Sequence, residues 1–472
     1  MKKTMKKIQI LAIGAVLTIG FASCSDFLDP EMDQNKTSET AFNTAQDVKN
    51  GVIGAYYALG NYRFYGNYVV ALGDMASDIA TASSSTGHFW AINSYGITDT
   101  NGELDDIWNY GYKVIDRSVR TINGAKNVTA AGVTDEEEYA INSYLSQCYA
   151  LRALATFTLT NIFGLPYQPG QANSQLGVIL VTDKPYTIND KVHRSSVADC
   201  YKQVLADIEM AKQLYAGEDE MNGAPQFYFN LAAIYALEAR VNLFMGNYSA
   251  AKVAALNAIE ERASEGATAA NYVSMWSSNA ISPEDILTIN KTNDDNLSAN
   301  ALNTLYGSYK GSLTSFTTGK FGENDYRAGV LDKYAYKFCG LPTAQAVSNI
   351  PIFRVSEMYL ILAECEAQLG NLDAAKTALF FTAQRDADIA SVDNLPSTKD
   401  GIMTFINDER VRELYLEGFR WYDARRQGLK ITVATTSQNF DVAKFVYPIP
   451  AAEINAGYGT EQNEGWSDNL PK

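Results

Sequence analysis

Histidine and cysteine are scarce in this chain. Its 472 residues include two His and five Cys. There is no Cys-x-x-Cys, His-Glu-x-x-His, Gly-x-Ser-x-Gly, Gly-x-Gly-x-x-Gly or phosphate-loop pattern. His88 and His193 alone give imidazole-based metal or triad chemistry almost nothing to work with. Positive charge is also short: 38 Lys+Arg against 54 Asp+Glu leave a net charge of −16. That argues against a nucleic-acid binder, which needs a basic face to displace the counterions of phosphates. No apolar run reaches the ~20 residues that span a bilayer as a helix. Cys148, Cys200, Cys339 and Cys365 stand far apart, and the first, second and fourth fall inside helical patterns, so they read as buried thiols rather than disulfides. With 54 acids, carboxylate pairs of the kind glycoside hydrolysis uses are numerous, and nothing singles one out. What the chain does have is a globular 46% of apolar residues and 29 Tyr, 20 Phe and 5 Trp. That tyrosine count suits a core and also an exposed binding surface.

The first residues read as a bacterial export signal. Lys2, Lys3, Lys6 and Lys7 precede the apolar stretch Ile8–Phe21, then Ala22-Ser23-Cys24. Small residues directly before a Cys resemble a lipoprotein cleavage box, although Phe21 replaces its usual Leu. Residues 1–23 are therefore expected to be a signal peptide and Cys24 the lipidated, palmitate-bearing N-terminus. Residues 24–40, short and acidic, read as a tether. Two or more acyl chains make such anchoring stable, at ~0.8 kcal/mol per buried CH₂.

Residues 41–472 are expected to form one mainly α domain. Tyr139–Ile162 is a long helical pattern that Phe163-Gly164-Leu165-Pro166 stops, and Arg194-Ser195-Ser196 opens another. Gly246-Asn247-Tyr248-Ser249-Ala250-Ala251-Lys252 repeats as Gly370-Asn371-Leu372-Asp373-Ala374-Ala375-Lys376. Gly-Asn makes a turn, Ser249 or Asp373 is placed to cap the second helix, and small residues let two helices approach. That is the helix–turn–helix of a tetratricopeptide-like unit. Ser249-x-x-Lys252 also fits a nucleophile pattern, but its position on the repeat turn favours a cap. In Glu409–Arg426, Glu409, Glu413, Glu417 and Arg420 share a helical face, and Arg410 pairs with Glu413 or Glu417; a salt-bridge network holding the last helix is expected. Residues 60–107 and 264–350 are rich in Gly, Ser, Thr, Asn and aromatics and are too long for ordinary connections, so they read as functional or strand-bearing insertions. Phe445–Pro450 is a short strand-like run. Asp99, Asn101, Glu103, Asp105 and Asp106 offer oxygen ligands for Ca²⁺ but lack EF-hand order, and a solvated acidic loop is the favoured reading.

Several motifs in a fixed order carry a resemblance. They are the lipobox at Cys24, Trp108-Asn109-Tyr110-Gly111-Tyr112, Leu151-Arg152-Ala153 with Ile162–Tyr167, and Arg354-Val355-Ser356-Glu357-Met358-Tyr359-Leu360 with Glu364. They continue with Glu409–Asp423, and with Tyr447-Pro448-Ile449-Pro450 followed by Gln462–Trp466. Over nearly its whole length the chain resembles the SusD/RagB outer-membrane lipoproteins of Bacteroidetes nutrient uptake; Arg117, where that family often has Asn, is a local departure. The resemblance implies a tetratricopeptide-like scaffold with an irregular binding face. It also implies a cell-surface position over a SusC-like TonB-dependent outer-membrane transporter. The implied function is capture of glycans such as starch or, in the RagB branch, of peptides, with no catalysis and no cofactor. A purely structural lid and, remotely, a lipid-anchored glycosidase are the other readings. A glycan binder needs flat aromatics beside amides or carboxylates. In this family the first insertion supplies stacking aromatics, so Trp90 and Asn93 are the leading candidates, with Phe89 and His88 behind and Asp78 as a hydroxyl acceptor. Tyr272, Trp276, Tyr306 and Tyr309 are added from the second insertion. Each aromatic also has the plainer reading of filling its insertion's own small core.

Overall fold

The repeated Gly-Asn turns do what small residues at a helix junction dictate. Gly246 and Gly370 sit at φ +71° and +87°, a region costly for any residue with a Cβ. Each following Asn donates its backbone N–H back into the helix before it, Asn247 to Asn242 at 2.9 Å and Asn371 to Glu366 at 2.8 Å. Neither Ser249 nor Asp373 is the N-cap. Asn247 and Asn371 hold that position, because the backbone bond already closes the turn one residue before the helix starts.

The computed structural model describes residues 41–471 other than 218–220, 332–335, 341–343 and 345. The expected signal segment, Cys24 and the tether to residue 40 lie outside these. The helices in order are α1 Ala45–Leu59, α2 Tyr68–Met75, α3 Trp90–Asn93, α4 Gly102–Ala130, α5 Asp135–Phe163, α6 Val197–Leu214, α7 Leu231–Phe244 and α8 Tyr248–Arg262. They continue with α9 Tyr272–Met275, α10 Leu302–Tyr306, α11 Ser315–Thr318, α12 Val355–Gln368, α13 Leu372–Ala383, α14 Lys399–Leu414, α15 Arg420–Gln427 and α16 Ala451–Asn455. Packing runs as a ladder: α1 on α4, α4 on α5, α5 on α6, α7 on α8, α8 on α12, and α12 on α13 and α14. The repeats touch directly, since Lys252 on α8 pairs with Glu366 on α12 at 2.7 Å.

Local chemistry sets the boundaries. Helix α5 begins four residues before the apolar pattern does, because Thr134 and Glu137 form a capping box and the acids of its first turn suit the helix dipole. Ser196 caps α6 through the Asp199 N–H. No helix of the described residues is long and apolar enough to cross a membrane.

Among the described residues, three two-stranded antiparallel sheets decorate the scaffold. β1 (Ala80–Thr81) pairs with β3 (Ser312–Leu313), β2 (Asp285–Ile289) with β4 (Ile350–Arg354), and β5 (Lys430–Thr432) with β6 (Asn439–Asp441). The first matters most for function, because it ties the two sequence insertions together. Phe445–Pro450 does not pair as a strand. Side chains satisfy its buried backbone instead: Gln462 bonds both polar groups of Ile449, at 2.7 and 2.8 Å, and Asn463 donates to the Tyr447 carbonyl at 2.7 Å.

The acidic motif after residue 408 is interrupted. Helix α14 ends at Leu414, Leu416 and Gly418 take φ of +60° and +84°, and α15 starts at Arg420. Glu417 therefore sits on a turn, and Arg410 pairs with Asp423 at 2.6 Å rather than with Glu413 or Glu417. The expected network nevertheless exists, and it is buried. Arg327 meets Asp325, Glu409 and Glu413; Arg354 meets Glu284, Glu413 and Glu417; Arg385 meets Glu284 and Glu413; Lys337 meets Glu417 at 2.6 Å. Burial alone would raise Glu413, but Arg385, Arg354 and Arg327 hold its carboxyl far below the usual range. Burial pushes Lys337 down to about 8 against the pull of Glu417.

Candidate functional site

The β1–β3 pair brings residues 80–90 of the first insertion against 309–313 of the second. The hydroxyls of Thr81 and Ser312 bond across the pair at 2.8 Å, and Thr86 donates to the Tyr309 carbonyl at 2.9 Å. On this frame the His88 ring lies flat on Tyr309, with centroids 3.7 Å apart and planes 12° off parallel. His88 is exposed and Tyr309 half-buried, so a stacked two-ring platform faces solvent. Ser83, Ser85 and Thr86 surround it in sequence, and the half-buried Trp90 opens α3 two residues after His88. A flat aromatic surface with hydroxyls nearby matches the apolar face and polar rim of a sugar ring.

The other sequence-predicted residues point inward. Asn93 is 1% exposed; its amide donates to the Met75 and Ala80 carbonyls at 2.7 and 3.0 Å and accepts from the Ala82 N–H at 3.1 Å. With its hydrogen-bonding capacity spent on buried backbone, Asn93 has none to offer a ligand. Phe89 is buried at φ 55° and packs edge-on against Tyr68. Asp78 is not a free hydroxyl acceptor either, since Arg420 grips it bidentately at 2.8 and 2.9 Å. Tyr272 and Trp276 roof the ionic network, with Arg385 over Tyr272 and Lys337 and Arg354 over Trp276, and no ring face is left for a ligand. Tyr306 is fully buried. Of the nine ligand candidates, the fold leaves His88, Tyr309 and Trp90 accessible.

The acidic run at 99–106 caps a helix. The Asn101 side chain accepts from the Leu104 N–H at 2.9 Å and donates to Glu103 at 2.9 Å. Glu103 also accepts from the Phe89 N–H at 3.2 Å. Asp106 pairs with Arg63 at 2.9 Å, Asp105 lies in the first turn of α4, and the Asp99 carbonyl accepts from the Ala451 N–H. Among the described residues no group of three or more His, Cys, Asp or Glu is placed to hold a metal ion.

A larger feature escaped the sequence reading: a cleft of about 560 Å³ between the C-terminal end of α1, residues 222–228 and the chain after β2. Its aromatic walls include Tyr56, Tyr57, Tyr62 and Tyr228. The Tyr56-Tyr57 doublet just before Gly60-Asn61 was the available signal, but inside a helical pattern it reads as core.

The family model described as "SusD family" matches residues 243–466. One described as "Starch-binding associating with outer membrane" matches residues 26–243. A SusD-like protein of Formosa agariphila is 23% identical over 97% of this chain and 99% of its own. A SusD superfamily protein of Bacteroides vulgatus has a solved structure that is 26% identical, with TM-score 0.79 and coverage of 90% of this chain and 100% of its own. A second, from Bacteroides thetaiotaomicron, is 24% identical with TM-score 0.78, covering 89% and 99%. The two family matches meet at residue 243 and together run from 26 to 466, and with the helical ladder they share with these structures they settle the lineage: the chain belongs to the SusD/RagB family.

Proposed function

We propose that this protein captures glycans at an outer-membrane surface and passes them to a SusC-like TonB-dependent transporter, without catalysing any reaction on them. The observation that carries the reading is the solvent-facing His88–Tyr309 stack, held in place by the β1–β3 pair with the Thr86 hydroxyl bonded to the Tyr309 carbonyl. The match to a family described as starch-binding and outer-membrane-associated supports the ligand class, and makes α-glucans the first to try. The lipobox motif supports anchoring through a lipidated Cys24 facing the cell surface. Stacking on a shallow platform gives weak individual contacts, so affinities near the micromolar range or weaker are expected.

The test is affinity electrophoresis of the full-length chain in detergent through gels holding amylopectin, xylan, laminarin or pectin, with casein peptides titrated alongside. Retardation by one glycan that falls roughly tenfold in Tyr309→Ala is the expected result. Binding of the casein peptides alone would replace the glycan reading with RagB-like peptide capture, and retardation unchanged by His88→Ala and Tyr309→Ala would move the site elsewhere.

A further inference from the structure

We infer that the cleft beside α1 is a second glycan subsite, one that holds a neutral stretch of an extended chain whose other end lies on the His88–Tyr309 platform. Its size, about 560 Å³, falls within the roughly 300–1,000 Å³ of small-molecule sites. Its rim is the outer face of α1: Ile53 and Tyr57, one helical turn apart, are 44% and 66% exposed. A tyrosine ring that bare beside a cavity is what stacking on a sugar requires.

The floor is polar in a specific way. Thr288 lines the cleft, and its hydroxyl is buried with no hydrogen-bond partner among the described residues. A buried hydroxyl left unmatched is costly, and a ligand hydroxyl would satisfy it. The only charged residues among the described lining are Lys291 and Asp295, and they pair with each other at 3.1 Å. With its charges cancelled, the cleft suits a neutral, hydroxyl-rich ligand over a charged one.

Continuity points to an extended chain. Asn296 lines both this cleft and an adjoining hollow of about 430 Å³ that Asn303 and Thr304 also line. The Asn303 side-chain oxygen is likewise buried without a partner among the described residues. The Thr304 carbonyl accepts from the Tyr309 N–H at 2.9 Å, so the hollow reaches the segment that carries the platform. This inference shares the glycan reading above but stands on different residues.

The experiment measures affinities of the full-length chain in detergent for maltoheptaose, cellohexaose, xylohexaose and laminarihexaose by ligand-observed saturation-transfer NMR. Four variants are compared: Tyr57→Ala, Thr288→Val, the platform variant His88→Ala/Tyr309→Ala, and that variant with Tyr57→Ala added. The expected result is a roughly tenfold loss of affinity in Tyr57→Ala. A smaller loss is expected in Thr288→Val, whose thermal midpoint stays at or above that of the unaltered protein because an unmatched buried hydroxyl has been removed. Residual binding in the platform variant should vanish when Tyr57→Ala is added. If neither cleft substitution changes any affinity while the platform variant loses all binding, the cleft is no subsite and the platform reading stands. If the platform variant binds normally and Tyr57→Ala abolishes binding, the cleft stands and the platform fails. If the unaltered protein binds none of the four, the glycan assignment of the cleft is overturned.

Discussion

Asn93 and Tyr309 show how far a residue's role depends on which way it faces. Both sit in aperiodic, aromatic-rich segments where composition suggests a binder, and no hydrophobic period says which side is in. Asn93 turned inward because three backbone groups around the α2–β1 corner, at Met75, Ala80 and Ala82, have no strand or helix partner and need one side chain to satisfy them. An Asn93→Ala chain leaves those groups unmatched in the interior, so we expect it to lose about 2–4 kcal/mol of stability. Chemical denaturation should register the loss, and a variant as stable as the unaltered protein would show that water replaces the amide. Tyr309→Ala gives the opposite pattern, little stability lost and binding impaired. Trp90 falls between, since its half-buried ring packs on the core, so its truncation should lower the thermal midpoint as well as the affinity.

At the scale of elements, most of the scaffold was legible, because helix periods and the duplicated Gly-Asn turn are local signals, although the caps of the repeat fell on Asn247 and Asn371 rather than Ser249 and Asp373. The break between α14 and α15 was not. Glu409, Glu413, Glu417 and Arg420 fit one helical face, yet the chain leaves the helix at Tyr415 so that Gly418 can cross α2. There the Gly418 N–H donates to Asp74 at 2.8 Å. A Cβ on Gly418 would lie 2.8 Å from the Val70 carbonyl oxygen and 2.9 Å from its Cα, and one on Gly73 would lie 2.0 Å from the Gly418 carbonyl oxygen. Backbone-to-backbone approach of this kind involves residues far apart in sequence, and no periodicity announces it. Gly418→Ala meets both the positive φ and the Val70 backbone, so we expect a loss of several kcal/mol or failure to fold. Gly428→Ala, at φ +64° but with open space around it, should cost only about 1 kcal/mol. Comparable losses at the two sites would refute the close-packing account.

Across the whole molecule, the three-arginine cluster around Glu413 ties the second insertion, β4 and the end of α14 into one body. Removing its central acid strands buried cations, so Glu413→Ala should cost about 3–5 kcal/mol, read as a drop in thermal midpoint with the second insertion becoming protease-sensitive. Glu413, Glu409 and Glu284 have folded-state values below their unfolded ones, because their arginines more than offset burial. Their stabilisation is therefore present above the unfolded value and is lost only as pH falls through the folded one. Asp285, at the edge of the same cluster, has the opposite sign. Burial, partly offset by its bonds to Ser282, raises it from 3.8 to about 6. Its protonated form is the one the fold favours, so its contribution is present below about pH 4 and disappears as pH rises through about 6. An Asp285→Asn chain keeps an oxygen for the Ser282 N–H and cannot ionise. Relative to the unaltered protein it should gain up to about 3 kcal/mol between about pH 4 and about pH 7, seen as a urea midpoint that moves ahead of the unaltered protein's only at the higher pH. Parallel midpoints at both pH values would mean that Asp285 is ionised in the folded chain at no cost, which would place water or a cation beside it.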